Sequence, residues 1–149
     1  IVHNMERLWE AIMFCLCFTT IRNYSGGYHA RTRVSCNILS WMEAFGVLWV
    51  VNEVSHIEPV ILMMEIVVVM VVLILLAPLE NKNKPLSGNI KKKNRKWMLF
   101  WLLFWDVMAV GIYYHDSSSA ITIINTQMVV MLFVILEKGR QGYEEKVRR

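Results

Sequence analysis

The sequence predicts an all-α, polytopic membrane protein of about four transmembrane helices, preceded by a short N-terminal helix that is interfacial or packed. Of its 149 residues, 56% are hydrophobic and 19% charged, against roughly 45–50% and 25% in ordinary soluble domains. The apolar residues gather in blocks of about membrane-spanning length, and the segments between them hold nearly all the charge. In lipid only a helix or a closed barrel pairs its own backbone, so runs rich in Val and Ile still read as helices.

Leu8 to Ile21, "LWEAIMFCLCFTTI", is apolar except for Glu10 and two threonines. Such a segment covers only about 21 Å of helix, short of a bilayer core. "RNYSGGYHARTRVSCN" reads as a loop broken by Gly26 and Gly27, with Arg22, Arg31 and Arg33 opposed by no acid. Ile38 to Val54 is the first span, with Trp41 and Trp49 placed as interfacial anchors. Pro59 opens the second, where its missing N–H is harmless, and Val60 to Ala77 follows. After the basic segment "LENKNKPLSGNIKKKNRK" come a third span, Trp97 to Tyr114, a polar turn, "HDSSS", and a fourth span, Ala120 to Leu136. The domains expected are therefore 1–37, an extension of short helix and basic loop; 38–136, the transmembrane domain; and 137–149, a charged tail.

If the four spans alternate, residues 22–37, 79–96 and 137–149 share one side and carry three, seven and five Lys or Arg. The opposite segments, "NEVSHIE" and "HDSSS", carry none. The positive-inside rule puts the basic set on the cytoplasmic or matrix side. The chain opens on Ile1 rather than Met, which suggests a processed product or a non-standard start codon. Residues 1–21 lack the small-residue site of a cleaved signal peptide.

The first span carries Glu43 near its start, and two carboxylates fall deeper inside the second and third spans, Glu65 and Asp106. A charge near the bilayer centre costs roughly 2.5–3.5 kcal/mol on insertion scales, so such residues face protein or water and are functional candidates. Neither span offers an internal Lys or Arg, so the partner comes either from another subunit or from this chain, where His56, Tyr113 and Asn125 are the candidate relay or packing partners. Thr122, Asn125 and Thr126 share one helical face and suit hydrogen bonding between helices. Trp97, Trp101 and Trp105 form an aromatic ridge that faces lipid or another subunit.

Cys15, Cys17 and Cys36 form no metal-ligand spacing and no obvious disulfide framework. No phosphate-binding glycine loop, haem histidine pair, iron–sulfur cysteine cluster or nucleophile triad is found. Lys91 to Lys96 suit anionic lipid headgroups, and nucleic acid is a poor partner beside a membrane.

"SHIEPVILMME", with Ser55, His56 and Glu65, resembles the second helix of subunit 4L of respiratory complex I. "WDVMAVG", from Trp105 to Gly111, is similar to that family's second acidic site. The runner-up resemblance is to subunit 3 of the same complex, carried by "WDVMA" and "LEKGRQGYEE". Either resemblance implies a membrane-arm subunit of a large hetero-oligomeric complex in the mitochondrial inner membrane, with Glu65 and Asp106 in a proton relay. This chain would bind no cofactor or metal, the NADH, FMN, iron–sulfur clusters and ubiquinone being carried by other subunits. The rival expectations are a lineage-specific structural subunit of a bioenergetic complex and a small oligomeric pore.

Overall fold

The computed structural model describes residues 2–26, 33–54, 56–79 and 87–148, without the side chains of 2–7, 33–37 and 39. The expected loop residues 27–32 and 80–86, and Ser55, lie outside the described residues. Five helices account for almost all of the rest: α1 (Val2–Ser25), α2 (Arg33–Glu53), α3 (Pro59–Leu76), α4 (Gly88–Ile112) and α5 (Ser117–Arg148). The expected all-helical class is what the chain adopts.

Local chemistry sets the boundaries. Pro59 begins α3 behind the extended Glu58, and the Ala77 N–H closes its last turn on the Leu73 carbonyl at 2.9 Å. Asp116 caps α5: its Oδ1 accepts from the Ser119 N–H at 3.1 Å, and its other oxygen takes the Ser119 hydroxyl. At the end of α1, Gly26 turns into the left-handed region with φ of 69°. Four helices run past the apolar blocks, α2 by starting at Arg33 rather than Ile38. α1 has 24 residues, about 36 Å, where 14 were expected. α4 begins in the basic segment at Gly88, and α5 continues unbroken beyond Leu136.

α5 is the axis of the bundle and packs against each of the other four helices, while α1 also packs on α4. Its inner face, including Ile123, Ile124, Val130 and Val134, is fully or almost fully buried. Facing it are Met13, Cys17 and Ile21 of α1, Leu62, Ile66, Val69 and Leu73 of α3, and Met98, Leu102, Trp105 and Ala109 of α4. Spacings of three and four place each set on one helical stripe. The rest of α3 is apolar and exposed, with Val60, Met64, Val67 and Leu75 more than half uncovered. A continuous apolar face of this kind is what lipid covers. By length and apolarity together, α3 and α5 can cross a membrane.

The helices alternate in direction. At one end the Leu79 N–H bonds the Ser25 carbonyl at 3.1 Å, and Arg95 Nη2 donates to the Ile74 carbonyl at 2.9 Å. At the other end the Tyr113 hydroxyl donates to the Ile57 carbonyl at 2.5 Å, and the His56 and Tyr113 rings lie 5.9 Å apart. The α1 terminus, the α3–α4 connection and Lys138 of α5 thus share the basic end.

Candidate functional site

The two intramembrane acids sit apart. Glu65 is half-buried on α3, whereas Asp106 is 5% exposed on α4, and neither carboxyl feels the other. Asp106 looks toward Gln127 of α5 and Cys17 of α1, yet no hydrogen bond of acceptable geometry satisfies either the carboxyl or the Gln127 amide. His56 and Tyr113 meet each other but neither acid, because both stand at the far end of the bundle.

The polar face of α5 does not bridge helices. Thr122, Asn125 and Thr126 bond the carbonyls of Ser118, Ile121 and Thr122 at 2.8, 3.0 and 2.6 Å, each one turn back on the same helix. A short polar side chain in a helix reaches the i−4 carbonyl before it reaches a neighbour. The tryptophan ridge likewise divides. Trp97 is 42% exposed, but Trp105 is buried and its indole N–H donates to Thr20 of α1 at 2.9 Å.

A third group gathers where α1 ends and α2 begins. The Arg22 guanidinium lies between the Phe18 and Phe133 rings, 5.1 and 5.0 Å from their centroids, and attracts the buried Glu43 of α2. Val47 and Val51 continue the buried stripe of α2 beyond Glu43. Gly26 lies against the α3–α4 connection so closely that a Cβ there would stand 2.7 Å from the Leu79 carbonyl oxygen. Cys36 is the fourth residue of α2. His29 lies outside the described residues. Of the other two thiols, Cys17 is fully buried, its S–H directed at the Ile123 carbonyl 3.9 Å away, while Cys15 is exposed within α1. Among the described residues no cluster of His, Cys, Asp or Glu could hold a metal ion.

A family model described as accessory gene regulator B matches residues 4–136, which takes in this corner and the first four helices with most of the fifth. The chain belongs to the accessory gene regulator B (AgrB) family. It is similar to a putative AgrB-like protein of Clostridium perfringens strain SM101, 26% identical over 140 residues that cover 85% of this chain and 61% of that protein. It is also similar to putative AgrB-like protein 2 of Clostridium perfringens strain 13, 27% identical over 120 residues covering 74% and 56%. The chain therefore spans about three fifths of the length of these relatives. No solved structure matches it.

AgrB membership overturns the resemblance to complex I, for subunit 4L and subunit 3 alike. With it fall the respiratory-chain function, the mitochondrial inner membrane and partnership in a large hetero-oligomeric complex, since these relatives are bacterial AgrB-like proteins. The structural-subunit and pore readings fall on the same finding. The physical reason is that "SHIEPVILMME" and "WDVMAVG" are short strings of residues common in apolar helices, and lipid selects the same few residue types in unrelated proteins. The loop also carries a histidine and a cysteine seven positions apart, His29 and Cys36, in a cationic segment running into α2.

Proposed function

We propose that the chain is a membrane cysteine peptidase that processes a precursor peptide in bacterial quorum sensing, the AgrD peptide being the type of substrate with which AgrB proteins work. The observation that carries this reading is the position of Cys36 in the first turn of α2, inside the family-matched stretch and shortly after His29, Arg31 and Arg33. A thiol becomes a nucleophile when positive charge favours its thiolate, and a helix N-terminus flanked by cations supplies that charge. Cys17 is sealed in the core, and Cys15 lies mid-helix with no histidine near it in sequence.

In this scheme His29 accepts the Cys36 thiol proton, and the sulfur attacks the carbonyl carbon of the scissile peptide bond. The tetrahedral intermediate collapses to a thioester on Cys36 while the imidazolium returns the proton to the departing amine. Water then releases the acyl portion, with His29 again taking the proton.

The test is co-expression of the chain in bacterial membranes with its precursor peptide, cleavage being read by mass spectrometry. Cys36→Ala and His29→Ala should each lower processing by about 10³-fold or more, on the scale seen for nucleophile and base removal elsewhere. Cys15→Ala and Cys17→Ala should retain most activity. Cleavage that persists in a folded Cys36→Ala chain would remove the assignment.

The membrane arrangement that accompanies this reading has α2 to α5 each crossing once, with His29, Cys36 and the Lys91 segment on the cytoplasmic side. Its support is the complete absence of Lys and Arg from 52–58 and 115–119, set against their abundance at the opposite end. In a chain freed of native cysteines, Lys91→Cys and Ser117→Cys should label from opposite faces of sealed vesicles. Labelling of both from one face would rule the arrangement out.

A further inference from the structure

We propose that the basic end of the bundle holds a binding site for the phosphate headgroup of an anionic phospholipid. A cavity of about 600 Å³ opens between the end of α3, the start of α4 and the outer part of α5. Lys91, Lys92 and Arg95 line it from α4, and Lys138 lines it from α5. No carboxylate stands among the described lining residues, and Glu137, next to Lys138, is engaged by Arg140 at 2.8 Å and by Gln141 at 3.1 Å.

The site takes an anion for three separate reasons. Four cations around one opening set up a positive potential that any anion entering it feels from several sides. Gly88, the first residue of α4, also lines the cavity, and the first-turn N–H groups of that helix have no intrahelical partners. Arg95 is fixed rather than loose, since its Nη2 is anchored on the Ile74 carbonyl while its guanidinium has further donors to offer.

A lipid is favoured over free phosphate by what adjoins the cations. The floor of the cavity is the buried turn Ala77 to Leu79, and Leu75 beside it is 75% exposed on the outer face of α3. From Leu75 the exposed apolar face runs through Val71, Val68 and Val67 toward Pro59. An amphiphile can therefore place its phosphate among the cations and lay its acyl chains along α3, whereas inorganic phosphate uses only the first half of that surface. This site is separate from Cys36 and does not depend on the peptidase reading.

The experiment is native mass spectrometry of the full chain released from micelles containing phosphatidylglycerol or phosphatidylcholine, with lipid retention titrated in each. One phosphatidylglycerol per chain should be retained, and phosphatidylcholine should not compete for it. Each lysine near a charged surface contributes about fivefold, so Lys91→Gln, Lys92→Gln and Lys138→Gln combined should weaken retention about a hundredfold. Arg95 is left in place because it also ties α4 to α3, and circular dichroism should show the triple variant as helical as the parent. Equal retention of both lipids, or an unaltered affinity in the triple variant, would overturn the site. Millimolar inorganic phosphate displacing the lipid completely would reassign it to a free anion. Retention of hexaglutamate at micromolar concentration, with no retention of phosphatidylglycerol, would reassign it to an acidic peptide.

Discussion

Gly26→Ala should lower the unfolding free energy of the chain by about 2–4 kcal/mol. Two independent costs add at this position. The backbone stands at φ of 69°, where an L side chain costs roughly 1–2 kcal/mol. A Cβ would also lie 2.7 Å from the Leu79 carbonyl oxygen, a backbone atom that cannot rotate away, and overpacking of this sort costs about 1–3 kcal/mol. Relief requires the α1 terminus to part from the α3–α4 connection, which stretches the bond between the Leu79 N–H and the Ser25 carbonyl. The segment bearing His29 begins at that point, so peptide processing should fall together with stability. Thermal unfolding in mild detergent is the measurement, with Gly139→Ala as its control: nothing lies within 4 Å of a Cβ there. Helix propensity alone makes the control neutral or stabilising by up to about 1 kcal/mol. If both variants melted together, the close approach at Gly26 would carry no weight.

How much of the fold could be read in advance depended on which signal each helix carries. α3 was legible at both ends, because Pro59 marks its start and the apolar run stops at Ala77. α1 was read too short because Glu6 and Arg7 lie outside the apolar run, yet neither residue opposes a helix. The extension of α4 back to Gly88 has the same cause, since its lysines are good helix formers that happen to be polar. The fourth span was expected to end at Leu136 before a charged tail, but α5 continues through Gly139 and Gly142 to Arg148. Arg140 bridges Glu137 and Glu144, at 2.8 and 3.8 Å, across the positions where those glycines loosen the helix. Hydropathy located the apolar blocks, whereas helix ends are set by caps and local pairs that hydropathy does not register.

The polar residues were harder to place, for a different reason. An intramembrane carboxylate stands out in a sequence because its solvation cost is large, and attention settled on Glu65 and Asp106. A histidine and a cysteine in a polar loop cost nothing to solvate and give no such contrast. What distinguishes His29 and Cys36 is position: arginines around them, six residues between them and the cysteine in the first turn of a helix. His56 and Tyr113 do come together, as candidate partners were expected to, but against each other and the Ile57 carbonyl rather than against a carboxylate. Helical register places residues on a face, but which end of the bundle two faces share depends on how α3 and α4 pack along α5.

Asp106→Leu should raise the stability of the isolated chain by about 2–4 kcal/mol. Asp106 is 5% exposed at the α4–α5 interface, and both its carboxyl oxygens are buried without a hydrogen-bond partner. A buried polar atom left in that condition costs about 1–3 kcal/mol, and a charged group costs more. Leucine is close to aspartate in reach and belongs with its neighbours on the same stripe, Leu102 and Ala109. Gln127 would remain unsatisfied after the change, so the gain should be smaller than for the double variant Asp106→Leu with Gln127→Leu. Asp106→Asn should fall between the parent and the leucine variant, because it removes the charge while keeping two polar atoms in the same place. A residue that destabilises its own fold is commonly one whose partner arrives with substrate or in another functional state, so the stabilised Asp106→Leu chain should process its peptide more slowly than the parent. Unfolding in detergent and cleavage in membranes give the two readings. A loss of stability on Asp106→Leu would mean that the carboxyl is already well paired in the folded chain, and a stabilised chain with undiminished cleavage would leave Asp106 with no part in the reaction.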